Sequence, residues 1–117
     1  MSRNTLSEDR IHPAIRERIA NYHTSIVDEV EAAVASNRIV VVGMKQNPVV
    51  KTARRLLEGA GLKHAYLEYG SYFNTWRRRS ALKMWTGWPT FPMVFVDGVL
   101  VGGADDLQAL IGRGELK

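Results

Sequence analysis

The sequence predicts an α/β protein: a four-stranded mixed sheet flanked by helices, with an extra helical segment at its N-terminus. Three observations point there. An unbroken β-branched run, Ile39 to Val42, reads as a central strand buried on both faces. A helical pattern and a second strand follow at the spacing of a right-handed parallel βαβ unit. Near the C-terminus two short apolar runs, Met93 to Val96 and Val99 to Val101, flank Asp97-Gly98, a dipeptide that marks a tight hairpin.

The elements follow in order. Residues 1 to about 10 read as a frayed end. Pro13 suits the first turn of a helix, and Ile11, Ile15, Ile19 and Tyr22 recur at helical spacing. A second helical stretch, with Ser25 as its expected cap, carries Ile26, Val27, Val30 and Val34 on one face. The pattern leaves open whether His23-Thr24-Ser25 divides one long helix into two. After the Ile39 strand, Gly43-Met44-Lys45-Gln46 turns the chain into Asn47-Pro48, a good N-cap followed by proline at the first helical position. Val49, Val50, Ala53, Leu56 and Leu57 are expected to face inward, and Lys51, Arg54, Arg55 and Glu58 outward. Gly59 and Gly61 are stop signals. Ala65 to Tyr69 reads as the second strand and Tyr72 to Trp85 as a third helical segment ended by Gly87. Pro92 leads the hairpin, whose Val99 strand is expected at a sheet edge. Gly102-Gly103 closes it, and Ala104-Asp105-Asp106 opens a last helix with Leu107, Leu110 and Ile111 inside.

With 117 residues, 45% hydrophobic and 24% charged, the composition is that of one globular domain. No apolar run is long enough to cross a bilayer, and the polar start, MSRNTLSEDRIHPAIRER, lacks the apolar core of a signal peptide. A cytoplasmic location is expected, with no membrane partner. Cysteine is absent, so there is no disulfide, no thiolate metal site and no thiol nucleophile. His12, His23 and His64 are scattered without ligand spacing, and no metal site is expected. A net charge of +4 permits attraction to acidic partners without implying nucleic acid. Trp76, Trp85 and Trp88 read as core or groove-wall residues, because no sheet-surface aromatic pattern accompanies them.

The string Trp88-Pro-Thr-Phe-Pro92, followed by a hairpin and Gly102-Gly-Ala-Asp-Asp106, resembles the C-terminal half of glutaredoxins, the monothiol class above all. The resemblance covers roughly residues 26–117, leaving 1–25 as an N-terminal helical extension, and implies the thioredoxin fold. It implies glutathione as a cofactor. In the family the proline matching Pro92 is cis, and the stretch matching Thr90 and Phe91 offers backbone groups to the cysteinyl part. The residues matching Gly103, Ala104, Asp105 and Asp106 hold the γ-glutamyl end. Lys45 falls at the family's lysine position for the glycine carboxylate. The run Arg79 to Trp88 is similar to the segment before that motif in monothiol members, where an arginine at the Arg79 position meets the same carboxylate. A planar guanidinium fork suits that task.

The chemistry of the family is missing. Glutaredoxins place their nucleophilic cysteine between the first strand and its helix, where the helix N-terminus lowers a thiol's pKa. Here Asn47-Pro48-Val49-Val50 stands there, with Asn47 at the nucleophile position. A second alignment makes Met44-Lys45-Gln46-Asn47-Pro48 the start of the longer monothiol loop, with the thiol deleted. Neither leaves a sulfur, and an amide replaces thiolate neither as nucleophile nor as iron–sulfur ligand. Asn47 reads as a helix cap, or as an amide that bonds a bound thiol or carboxylate. The expected function is a glutaredoxin-like, non-catalytic glutathione-binding or regulatory module. The alternatives are an oxidoreductase or transferase using bound glutathione as its thiol, and a scaffold with an empty groove that docks a BolA-like partner.

Overall fold

The β-branched run at the centre of the chain forms β1 (Ile39–Gly43), and every residue of it is buried. The computed structural model describes residues 3–70 and 76–116. A crossover through α3 (Pro48–Gly59) carries the chain to β2 (Ala65–Glu68), which lies parallel to β1 with Val41 opposite Tyr66. On its other side β1 pairs antiparallel with β3 (Met93–Val96), Val41 opposite Val94. β4 (Val99–Gly102) completes the order β2-β1-β3-β4 at the edge. The turn between β3 and β4 has positive φ at both Asp97 (51°) and Gly98 (81°), the backbone twist a two-residue hairpin needs.

Alternation along the strands divides the core between two faces. Val40, Val42, Met93 and Phe95 pack against Ile26 and Val30 of α2 (Thr24–Ser36) and Ala81 and Leu82 of α4 (Trp76–Thr86). Ile39, Val41 and Val94 pack against Ala53 and Leu57 of α3 and Ala104 and Leu107 of α5 (Ala104–Gly112). A mixed sheet with a parallel βαβ unit, an antiparallel hairpin and helices on both faces is the thioredoxin fold that the sequence predicts.

Three expectations change. The N-terminal end is not simply frayed: Glu8–Arg10 form a 3₁₀ turn, and Arg3 Nη1 donates to the Thr86 carbonyl (2.9 Å) at the end of α4. His12 caps α1 (Pro13–Ala20) through its Nδ1, which accepts from the Ala14 N–H. His23, at φ 44°, then breaks the helix and takes the cap position of α2, so Ser25 lies inside the first turn and caps nothing. Val49 does not face inward. It is 47% exposed, because the inward stripe of α3 runs through Val50, Ala53 and Leu57 and places its neighbour outside. The expected helix start at Tyr72 lies outside the described residues; the chain is helical from Trp76 and stops at Gly87, φ 77°. Among the described residues no helix is long and apolar enough to cross a membrane.

Candidate functional site

The strand pairing gathers the expected site residues at one end of the sheet. Val42, at the C-terminal end of β1, pairs with Met93, the first residue of β3. Val94 pairs with Gly102, the last of β4. The turn after β1, the loop before β3 and the start of α5 therefore share that end, outside the carboxyl ends of the parallel strands.

At the start of α3, Asn47 is extended and only 8% exposed. Its Oδ1 accepts from the N–H groups of Val49 (2.9 Å) and Val50 (3.1 Å), two donors that no helical carbonyl can reach. Proline at position 48 removes a third. The helix is pressed close to the sheet here. A Cβ on Gly43 would lie 2.6 Å from Val50 Cγ1, so only glycine lets β1 end under this turn. Gln46, at φ 61°, turns the chain into Asn47, and the Lys45 N–H donates to the Gly70 carbonyl (2.6 Å) while its side chain is exposed.

Across the sheet end, the Phe91–Pro92 peptide bond is cis and both residues are buried, with Thr90 exposed beside them. Gly103 abuts this loop: a Cβ there would lie 3.6 Å from the Pro92 carbonyl oxygen and 3.8 Å from Trp88 Nε1. That indole N–H is itself buried and has no hydrogen-bond partner among the described residues. The Gly103 N–H donates to Asp106 Oδ2 (3.0 Å), which fixes the first turn of α5 and commits the Asp106 carboxylate. Asp105 is exposed and Ala104 buried.

The three consecutive arginines diverge. Arg77 is exposed and lies 5.2 Å from the Trp76 ring centroid. Arg78 sits 5.7 Å over the Tyr69 ring. Arg79 turns inward, 6% exposed, and its Nη1 donates to the Tyr69 carbonyl (3.0 Å). Arg79 and the Lys45 backbone are thus tied to adjacent carbonyls, those of Tyr69 and Gly70. The Tyr69 hydroxyl donates to Glu29 Oε1 (2.6 Å); burial, then this bond to a carboxylate, hold the phenol well above its usual range. Sequence reasoning missed Lys83, whose ammonium lies 5.7 Å over the Phe91 ring. Its position four residues beyond Arg79, one helical turn on, was the available signal.

The arrangement offers cations on one side, the capped start of α5 on the other, and a buried cis-proline loop between, with no nucleophile at the α3 start. Among the described residues no group of three or more His, Asp or Glu side chains could hold a metal ion.

The sequence model of the glutaredoxin family matches residues 39–101. The chain belongs to the glutaredoxin family. It is 49% identical over 98 residues to a glutaredoxin-like protein of Dictyostelium discoideum, covering 84% of this chain and 80% of that one. It is 32% identical over 93 residues to the probable monothiol glutaredoxin 2 of Rickettsia prowazekii (strain Madrid E), covering 75% and 84%. Among solved structures, the buckwheat glutaredoxin–glutathione complex superposes with a TM-score of 0.71 over 82% of this chain and 87% of that one, at 23% identity, a likeness of fold. Wheat glutaredoxin gives 0.68 over 79% and 85%, at 30% identity. This glutaredoxin-like chain has no cysteine anywhere in its sequence.

Proposed function

We propose that this glutaredoxin-like protein keeps a glutathione-type groove and has no thiol chemistry of its own, acting as a glutathione-binding or regulatory module. The observation that carries the reading is Asn47, whose side chain occupies the start of α3 and takes the amide hydrogens of Val49 and Val50. The donor set suits a peptide with a carboxylate at each end. Lys45, Arg79 and Lys83 would serve the glycine carboxylate, and the amides at Gly103 to Asp106 the γ-glutamyl carboxylate. Asp105 would meet the ammonium, since Asp106 already accepts from Gly103. The backbone at Thr90 and Phe91 would pair with the cysteinyl part, beside Pro92. Asn47 would face the ligand's sulfur with an amide. None of these contacts uses a protein thiol, so its loss removes chemistry more than recognition. Charge-assisted contacts worth about 1 kcal/mol each at partly exposed sites sum to weak binding, roughly millimolar.

A nuclear magnetic resonance titration with reduced glutathione tests this. The Phe91, Gly103 and Asp105 amides are expected to shift and saturate in the millimolar range. Unmoved amides at about tenfold excess over that constant would overturn it and leave the interaction-scaffold reading. In a glutathione-coupled disulfide reductase assay the protein is expected to match a heat-treated control. Activity above that control would mean that bound glutathione supplies the thiol.

A further inference from the structure

The end of α3 remote from Asn47 opens onto a cleft of about 520 Å³ lined by Arg54, Glu58, Gly61, Leu62, Lys63 and His64. We infer that this cleft is a second binding site, one that takes a tetrahedral divalent oxyanion of the phosphate-monoester class. Arg54 is the centre of it. Its guanidinium lies against Tyr66, 4.1 Å from the ring centroid, and its Nε donates to His64 Nε2 (3.4 Å). The stack and the imidazole hold the plane of the fork, and the Nη groups make no further bond among the described residues. No carboxylate of the described residues forms an ion pair with Arg54. Glu68, on the neighbouring strand, accepts from the Tyr66 hydroxyl instead (3.0 Å).

A preorganised guanidinium facing a cleft with a lysine and a histidine is the donor set that oxyanions recognise. Cations near a helix C-terminus can also serve only to offset its dipole. Here the last turn has other partners. The Ala60, Gly61 and Leu62 N–H groups donate to the Leu56, Glu58 and Leu57 carbonyls. Lys63 and His64 are not needed there.

Sulfate and methyl phosphate are the probes, with sodium chloride at matched ionic strength as the control. Saturable shifts are expected at Arg54 Nε, the His64 ring and the Gly61 amide. Arg54→Ala is expected to weaken both ions about tenfold. Arg54→Lys, which keeps the charge and stem but not the fork, is expected to lose several-fold. Shifts no larger than those with chloride would overturn the site. So would binding that survives in both Arg54 variants. Arg79→Ala, at the other end of the sheet, should leave it unchanged.

Discussion

The Oδ1 of Asn47 accepts the amide hydrogen of Val50 across 3.1 Å, a bond that closes the first turn of α3 from outside the helix. A thiolate at a helix start is stabilised by the same amides and the same end of the dipole. Asn47 supplies the acceptor without the charge, so the turn is satisfied while the chemistry is absent. The fold therefore does not need the cysteine.

Asn47→Ala should cost about 1 kcal/mol, since it strands the Val49 and Val50 amides in a part-buried turn. Asn47→Asp should cost less than that or stabilise, because it keeps the acceptor and adds negative charge at the helix start. Urea midpoints for the two variants decide the point. An alanine variant as stable as the parent would mean that water replaces the cap.

Arg79 is both part of the candidate groove and a clasp on Tyr69. Arg79→Ala should destabilise the protein by about 1.5–3 kcal/mol, the range for a hydrogen bond from a charged donor. It should also weaken glutathione several-fold. Arg77→Ala, on an exposed side chain, should stay within about 0.5 kcal/mol and leave binding unchanged. Paired unfolding and titration curves for the two variants check this. Equal effects would mean that the run acts through net charge alone.

Gly43→Ala should be destabilising by about 1–3 kcal/mol, because its Cβ would meet both methyls of Val50, at 2.6 and 2.9 Å. Val50→Ala would relieve that contact. The double variant should then lose less than the sum of the two single changes, as measured by urea unfolding.

Two phenols set the behaviour in alkali. Burial, then a bond to Glu68, pushes the Tyr66 hydroxyl up to about 12, and burial, then Glu29, raises Tyr69. A phenol whose pKa is raised by folding holds its proton longer in the folded chain. Its contribution is fully present below the ordinary value near 10 and is lost as pH climbs from there through the folded value. Stability should therefore fall more steeply above about pH 10 in the parent than in Tyr69→Phe or Tyr66→Phe. Chemical unfolding midpoints at rising pH measure those slopes. Identical slopes would contradict the assignment.

Most of the fold could be read in the sequence because its signals are local. Ile39 to Val42, Asp97-Gly98 and Asn47-Pro48 each specify their own backbone, and the structure places them accordingly. The misreadings arose where a distant contact or a special backbone angle decides. Ser25 looked like a cap, but His23 adopts a left-handed conformation and takes the cap position, so α2 starts before Ser25. Arg79 was singled out by its likeness to the family's arginine, but the sequence did not show that it turns inward to the Tyr69 carbonyl, ten residues away. The helical spacing from Arg79 to Lys83 was legible, but the Phe91 ring beneath that lysine was not.

If position 47 is the thiol position of a groove that still recognises glutathione, the Asn47→Cys variant will react fast with glutathione disulfide, a reaction followed by mass. The introduced thiolate would attack one sulfur of the disulfide, form a mixed disulfide and release one glutathione thiolate. The α3 amides should lower the thiol's pKa, and the groove should hold the reagent beside it. Ser36→Cys, on an exposed helix end, is the control. One glutathionyl group is expected on Asn47→Cys, gained at least about tenfold faster than on Ser36→Cys near neutral pH. Equal rates in two folded variants would contradict it.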